Sequence, residues 1–204
     1  MSLRREDQAY MIGRDLLVIP RWCENPALPK GDWACFTLED GDDGYQAYLA
    51  LRPGGMIPIA PLFQNTEEYD TSTITFLVNL DDSGRADGRL YVDDGDGFEY
   101  RDGMFASYAA EVTTCEGVAT LALRRTAGKL GNRVSKLRMG ILSGDEIYYS
   151  ETVEGESLSM PIPKGCSKGL DTKNFNFVKL KDFSVNSRVT FIDLIKTEIL
   201  KEQA

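Results

Sequence analysis

The densest group of side chains able to do chemistry in this 204-residue chain is Asp93-Asp94-Gly95-Asp96-Gly97. Closely spaced aspartates at a glycine turn offer the hard oxygen ligands that calcium takes. The spacing argues for a plainer role, because with Asp94 as first ligand and Asp96 as third, Phe98 falls at the fifth position, where an EF-hand needs oxygen. Asp93, Asp94 and Asp96 are therefore weak metal candidates and read first as an Asx-rich turn between two strands. The acidic run Glu39 to Gly44 reads as a solvated turn for the same reason. Gly128-Lys129-Leu130-Gly131 and Arg52-Pro53-Gly54-Gly55 carry glycine without the spacing of a phosphate loop, so no nucleotide and no other cofactor is expected.

The chain has no histidine. Ser-His-Asp and Cys-His nucleophilic catalysis, His-ligated zinc and an imidazole base are thereby excluded within it. Carboxylates remain, and there are 32 of them, so proximity alone cannot single out the pair that a glycoside hydrolase sets about 5 to 9 Å apart. Trp22, Trp33, Tyr91 and Tyr100 are the candidates for a sugar-stacking platform, set against the plainer reading of aromatics at strand spacing as core or cross-strand pairs. Cys23, Cys35, Cys115 and Cys166 form no CxxC pair and read as isolated thiols. A net charge of −9 argues against a nucleic-acid partner. The longest apolar run, Met56 to Phe63, is broken by two prolines and is too short to span a membrane as a helix.

The elements that must position these residues are strands. Short apolar or alternating runs, each closed by glycine, aspartate or proline, predict strands at Asp15 to Pro20, Trp33 to Leu38 and Tyr45 to Leu51, the last two forming a hairpin. Met56 to Pro61, with its two prolines, suits an edge or a short strand. Strands are further predicted at 72–80, 88–92, 98–101, 107–113, 118–125, 133–142, 147–150, 157–160, 175–180 and 187–191. Only the end of the chain changes period: Phe191, Ile192, Leu194, Ile195, Ile199 and Leu200 share a helical face, which predicts a helix over Ile192 to Glu202. The fold class is all-β, two antiparallel β-sandwich domains with one carboxy-terminal helix, divided in the loop 64–71. Met1-Ser2-Leu3 reads as an expression leader, and 1–8 lacks the apolar core of a secretory signal.

The order of five blocks is more specific than any one motif. Gly13 to Pro20, Leu51 to Pro58, Gln64-Asn65-Thr66, Ile74 to Val78 and Leu90 to Tyr100 together resemble the carboxy-terminal part of alpha-glucosidases of glycoside hydrolase family 31. The resemblance implies that 1–12 is the leader plus the tail of a catalytic barrel, 13–70 a proximal β-sandwich, and 71–204 a distal one. It also implies no catalytic residue in this chain, since the family's nucleophile lies in a Trp-x-Asp-Met-Asn-Glu stretch of the barrel that does not occur here. The expected partner is that barrel, with an alpha-glucan or other oligosaccharide as a further one. If 13–70 braces the barrel, it should present an open apolar patch. The competing readings are a stand-alone carbohydrate-binding module and the accessory region of an alpha-glucan lyase.

Overall fold

Leu16-Leu17-Val18-Ile19 has no polar face, whereas the run from Ala86 to Asp93 alternates strictly between small or apolar and polar or aromatic side chains. The first pattern suits a strand covered on both faces and the second a strand with one face in water. The computed structural model describes residues 9–20, 30–37, 47–61, 70–95, 97–143, 146–162 and 178–179 and bears out both expectations. The described residues are nearly all β, built on two sheets.

The smaller sheet contains β1 (Tyr10–Ile12), β2 (Leu16–Ile19), β3 (Ala34–Thr37), β4 (Tyr48–Leu51) and β14 (Val178–Lys179), in the order β1-β2-β4-β3-β14. The larger contains β5 (Gly55–Ile59), β6 (Thr73–Asn79), β7 (Ala86–Asp93), β8 (Phe105–Cys115), β9 (Val118–Ala127), β10 (Lys136–Ser143), β11 (Glu146–Tyr149) and β13 (Ser157–Pro161). Its order is β11-β10-β6-β5-β7-β8-β9-β13, and the short β12 (Val153–Glu154) pairs with β10 outside that path. Most pairings are antiparallel, including the expected β3–β4 hairpin, while β6 runs parallel to β10 with Leu137 opposite Ile74.

β6 joins the layers. Ile74, Phe76 and Val78 enter a large core that also takes Leu90 and Val92 from β7, Tyr108 and Val112 from β8, Leu121 from β9 and Leu137 and Met139 from β10. One cluster thus links both halves of the larger sheet, which must fold over itself where β5 and β7 meet only at Gly55 and Asp87. Leu77, on the opposite face of β6, is fully buried among Leu16, Val18, Phe36, Leu49 and Leu51 of the smaller sheet. Asn79 adds a polar tie, its Nδ2 donating to the carbonyls of Leu51 and Asp32 at 3.0 Å each.

Two sequence expectations change. Residues 98–101 form no strand: Glu99–Asp102 is a single 3-10 turn, ended by Gly103 at φ 91°. β5 lies inside the order of the larger sheet, yet its ladder to β7 is a single pair at Gly55, so Pro58 sits where no second neighbour needs its missing N–H. β5 and β6, which precede and follow the loop 64–71, pair antiparallel in the larger sheet. The helix expected over 192–202 and the strand over 187–191 lie outside the described residues.

Candidate functional site

Alternation along β7 points Ala86, Gly88, Leu90 and Val92 inward and leaves Asp87, Arg89 and Tyr91 outward. β8 returns antiparallel, with Phe105 opposite Asp93 and Ser107 opposite Tyr91. The connection carries the aspartate cluster and the 3-10 turn. Asp93 Oδ1 accepts the Gly95 N–H at 3.0 Å, which is the turn chemistry expected of it. Asp94 Oδ1 accepts from Arg133 Nη2 at 2.7 Å. Among the described residues no three His, Cys, Asp or Glu side chains are grouped to hold a metal ion, and Asp96 lies outside them.

Beside these carboxylates is a shallow cavity of about 250 Å³, lined by Asp93, Asp94, the glycines 95 and 97, Glu99, Tyr100 and Met104. The Tyr91 ring stacks on Phe105 at 5.4 Å between centroids and 23° between planes. Partial burial and the charge of Asp93 push the Tyr91 hydroxyl above its ordinary value. The Arg101 guanidinium lies 4.6 Å from the Phe98 ring centre and 5.8 Å from that of Tyr100. Tyr91 and Tyr100 are exposed, at 44% and 41%, and Phe98 more so, at 66%.

The structure therefore gathers two of the four candidate aromatics on one hairpin. Trp33 belongs to the smaller sheet, half-buried against Ala9, Leu17, Ile19 and Ala50, with its indole N–H directed at the Lys30 carbonyl. Trp22 lies outside the described residues. Phe98, expected in a strand, instead precedes the 3-10 turn and stands in solvent. Cys35 and Cys115 are free thiols, and burial pushes that of Cys35 up to about 11.

A second polar group ties the sheets together. Arg52, just after β4, donates to Asp15 through Nε and to Asp87 Oδ1 at 3.0 Å, while Arg14 donates to the other Asp87 oxygen and reaches Asp15 at 3.2 Å. Burial by itself would raise the Asp87 carboxyl, but the hydrogen bonds from Arg14 and Arg52 outweigh it and hold the group below the ordinary carboxylate range. At Asp81 burial likewise acts upward and is outweighed by the Ser83 hydroxyl and the N–H groups of Arg85 and Ser83. A depressed folded-state pKa contributes stability that is present above the unfolded value, about 4, and is lost as pH falls through the folded value. The melting temperature is expected to drop on acidification below about pH 4, and Asp87→Asn to flatten part of that drop. An unchanged acid slope in Asp87→Asn would show that the network does not couple the sheets.

Among the described residues of 13–70 no large hydrophobic side chain is exposed; those that are exposed run from Tyr91 to Val153. The segments 21–29, 38–46 and 62–69 lie outside the described residues.

The described residues thus form an all-β region of two sheets packed through β6, with a glycine-rich acidic connection between β7 and β8. Comparison with known proteins points to one family. The chain is 34% identical to the family 31 alpha-glucosidase of Bacteroides thetaiotaomicron, superposing with a TM-score of 0.51 over 61% of this chain and 20% of that one. It is 29% identical over 116 residues, 47% of this chain, to an uncharacterized family 31 glucosidase of Schizosaccharomyces pombe, of which it spans 12%. The alpha-xylosidase of family 31 from Xanthomonas citri shares the fold at 19% identity and a TM-score of 0.52, over 76% of this chain and 20% of that one. No family model matches the chain. The curated and structural neighbours all point to glycoside hydrolase family 31, matched over part of this chain and over only 12–20% of their own lengths.

Proposed function

We propose that the chain is the non-catalytic, carboxy-terminal accessory region of a family 31 glycoside hydrolase of alpha-glucosidase type. The observation that carries this reading is the 34% identity to an alpha-glucosidase confined to 20% of that enzyme. The missing Trp-x-Asp-Met-Asn-Glu stretch supports it, since the family's nucleophile would have no counterpart here. In the parent enzyme, one aspartate as nucleophile and another as acid/base would cleave an alpha-glucosidic bond by double displacement with retention. Both belong to the barrel.

In this reading, 13–70 lies next to the barrel and 71–204 extends away from it. The two parts act as one brace, because β5 of the first is hydrogen-bonded into the sheet of the second. Assay of the isolated chain on a chromogenic alpha-glucoside tests the reading. No turnover is expected. Turnover that disappears in Asp94→Ala would overturn it and place a catalytic carboxylate in the hairpin.

A further inference from the structure

We propose that the tip of the β7–β8 hairpin is a subsite for one pyranose unit of a neutral oligosaccharide. The ring of Tyr100, with the Met104 side chain also lining the cavity, forms its stacking surface, and the carboxylates of Asp94 and Glu99 accept hydrogen bonds from sugar hydroxyls.

Exposure is the first ground. Seven large hydrophobic side chains are exposed among the described residues, and four of them, Tyr91, Phe98, Tyr100 and Met104, lie on this one connection and its base. Such clustering in water marks a binding surface more often than chance placement does.

The second ground is that the rings are held. A 3-10 turn carries Tyr100, its end closed by the Gly103 N–H donating to the Tyr100 carbonyl and the Met104 N–H to that of Glu99, at 3.1 Å each. The Arg101 guanidinium sits by the Phe98 ring. Arg133 anchors Asp94. Gly97, at φ 71°, lets the Glu99 carboxylate close over it: a β-carbon there would stand 2.2 Å from Glu99 Oε2. Fixed rings and fixed acceptors lower the ordering cost of binding a weak ligand.

The chemistry of the lining selects the occupant. A cavity of about 250 Å³ is smaller than the usual drug-sized pocket and suits a single ring. A pyranose offers an apolar C–H face to an aromatic ring and hydroxyl donors to carboxylates. Asp93, Asp94 and Glu99 around the cavity would repel a phosphate or another anion. Charged residues are depleted from the centre of protein interfaces, and here they form the wall, which disfavours a protein partner.

The reading of the chain as part of an alpha-glucosidase enters in one place, the choice of probe. The full chain is run through native gels containing glycogen and titrated with maltotriose, following backbone amide signals. Retardation in the gel and shifts confined to 93–104 are expected at millimolar sugar. Tyr100→Ala should weaken binding roughly tenfold with the melting temperature unchanged, and Glu99→Gln should weaken it less. The proposal is overturned if the chain is neither retarded nor shifted, or if Tyr100→Ala binds as the parent chain does. It is also overturned if the chain self-associates through this tip, with gel-filtration dimers abolished by Phe98→Ala. None of these outcomes bears on the absence of turnover, so the accessory reading stands or falls separately.

Discussion

Leu77→Ala is expected to destabilise both sheets at once, by about 2–5 kcal/mol, and to lower the melting temperature by roughly 10 °C. Leu77 is fully buried and belongs by strand to the larger sheet, yet it packs among Leu16, Val18, Phe36, Leu49 and Leu51 of the smaller one. Truncating it opens a cavity between the sheets that neither can fill alone, because the neighbouring positions on β6 face the other way. Phe76→Ala, one residue away on that other face, should cost about 3–5 kcal/mol through the larger core. Since β6 is the common layer, each variant should melt in one transition with circular dichroism and tryptophan fluorescence coinciding. Two transitions, with only one shifted by Leu77→Ala, would mean that the sheets are independent units.

Gly128→Ala should be comparably damaging although it adds one methyl group. Gly128 has φ 96°, and a β-carbon there would stand 1.7 Å from the Phe105 carbonyl oxygen and 2.5 Å from its carbon. That carbonyl cannot retreat easily, because it accepts the Leu130 N–H at 3.1 Å while the Lys129 N–H bonds Gly103 at 2.7 Å. Strain at a left-handed backbone position and overpacking against main chain each cost about 1–3 kcal/mol, so a loss of about 2–5 kcal/mol in urea unfolding is expected. Gly131→Ala is the matched control. A β-carbon at Gly131 would meet nothing within 4 Å and no left-handed φ is required, so its effect should stay within about 0.5 kcal/mol. Equal stabilities for the two variants would contradict the anchoring of the hairpin by residues 128–130.

Much of the fold is legible in the sequence where the side-chain period is local. The alternation in 86–93 and the unbroken apolar run 16–19 specify a one-sided and a two-sided strand without any tertiary information. Pairing between distant segments is not legible in this way: nothing in Ile74 or Leu137 announces that they lie opposite each other in a parallel ladder. The turn at Glu99–Asp102 was hidden for a different reason. Phe98 and Tyr100 favour strands, and the backbone is bent by the glycines 97 and 103, both at positive φ, on either side.

The candidate site divides along the same line. Tyr91 and Tyr100 could be nominated from composition around an acidic turn, and the structure places both on the exposed hairpin. Trp33 could not be told from them in sequence, because what separates it is the packing of Ala9, Leu17 and Ala50 around it. The role of Asp94 depends on Arg133, which reaches it from beyond two intervening strands. A turn aspartate and an ion-paired one look identical until that arginine is placed.

The account rests on this chain being one part of a larger enzyme. The size of the natural protein carrying the sequence, measured by immunoblot of the source cells with antibodies against residues 97–143 and by mass spectrometry of the captured band, tests that most directly. The expected result is a protein well above 22.7 kDa whose peptides include a Trp-x-Asp-Met-Asn-Glu stretch. A native protein of 22.7 kDa without that stretch would contradict the account.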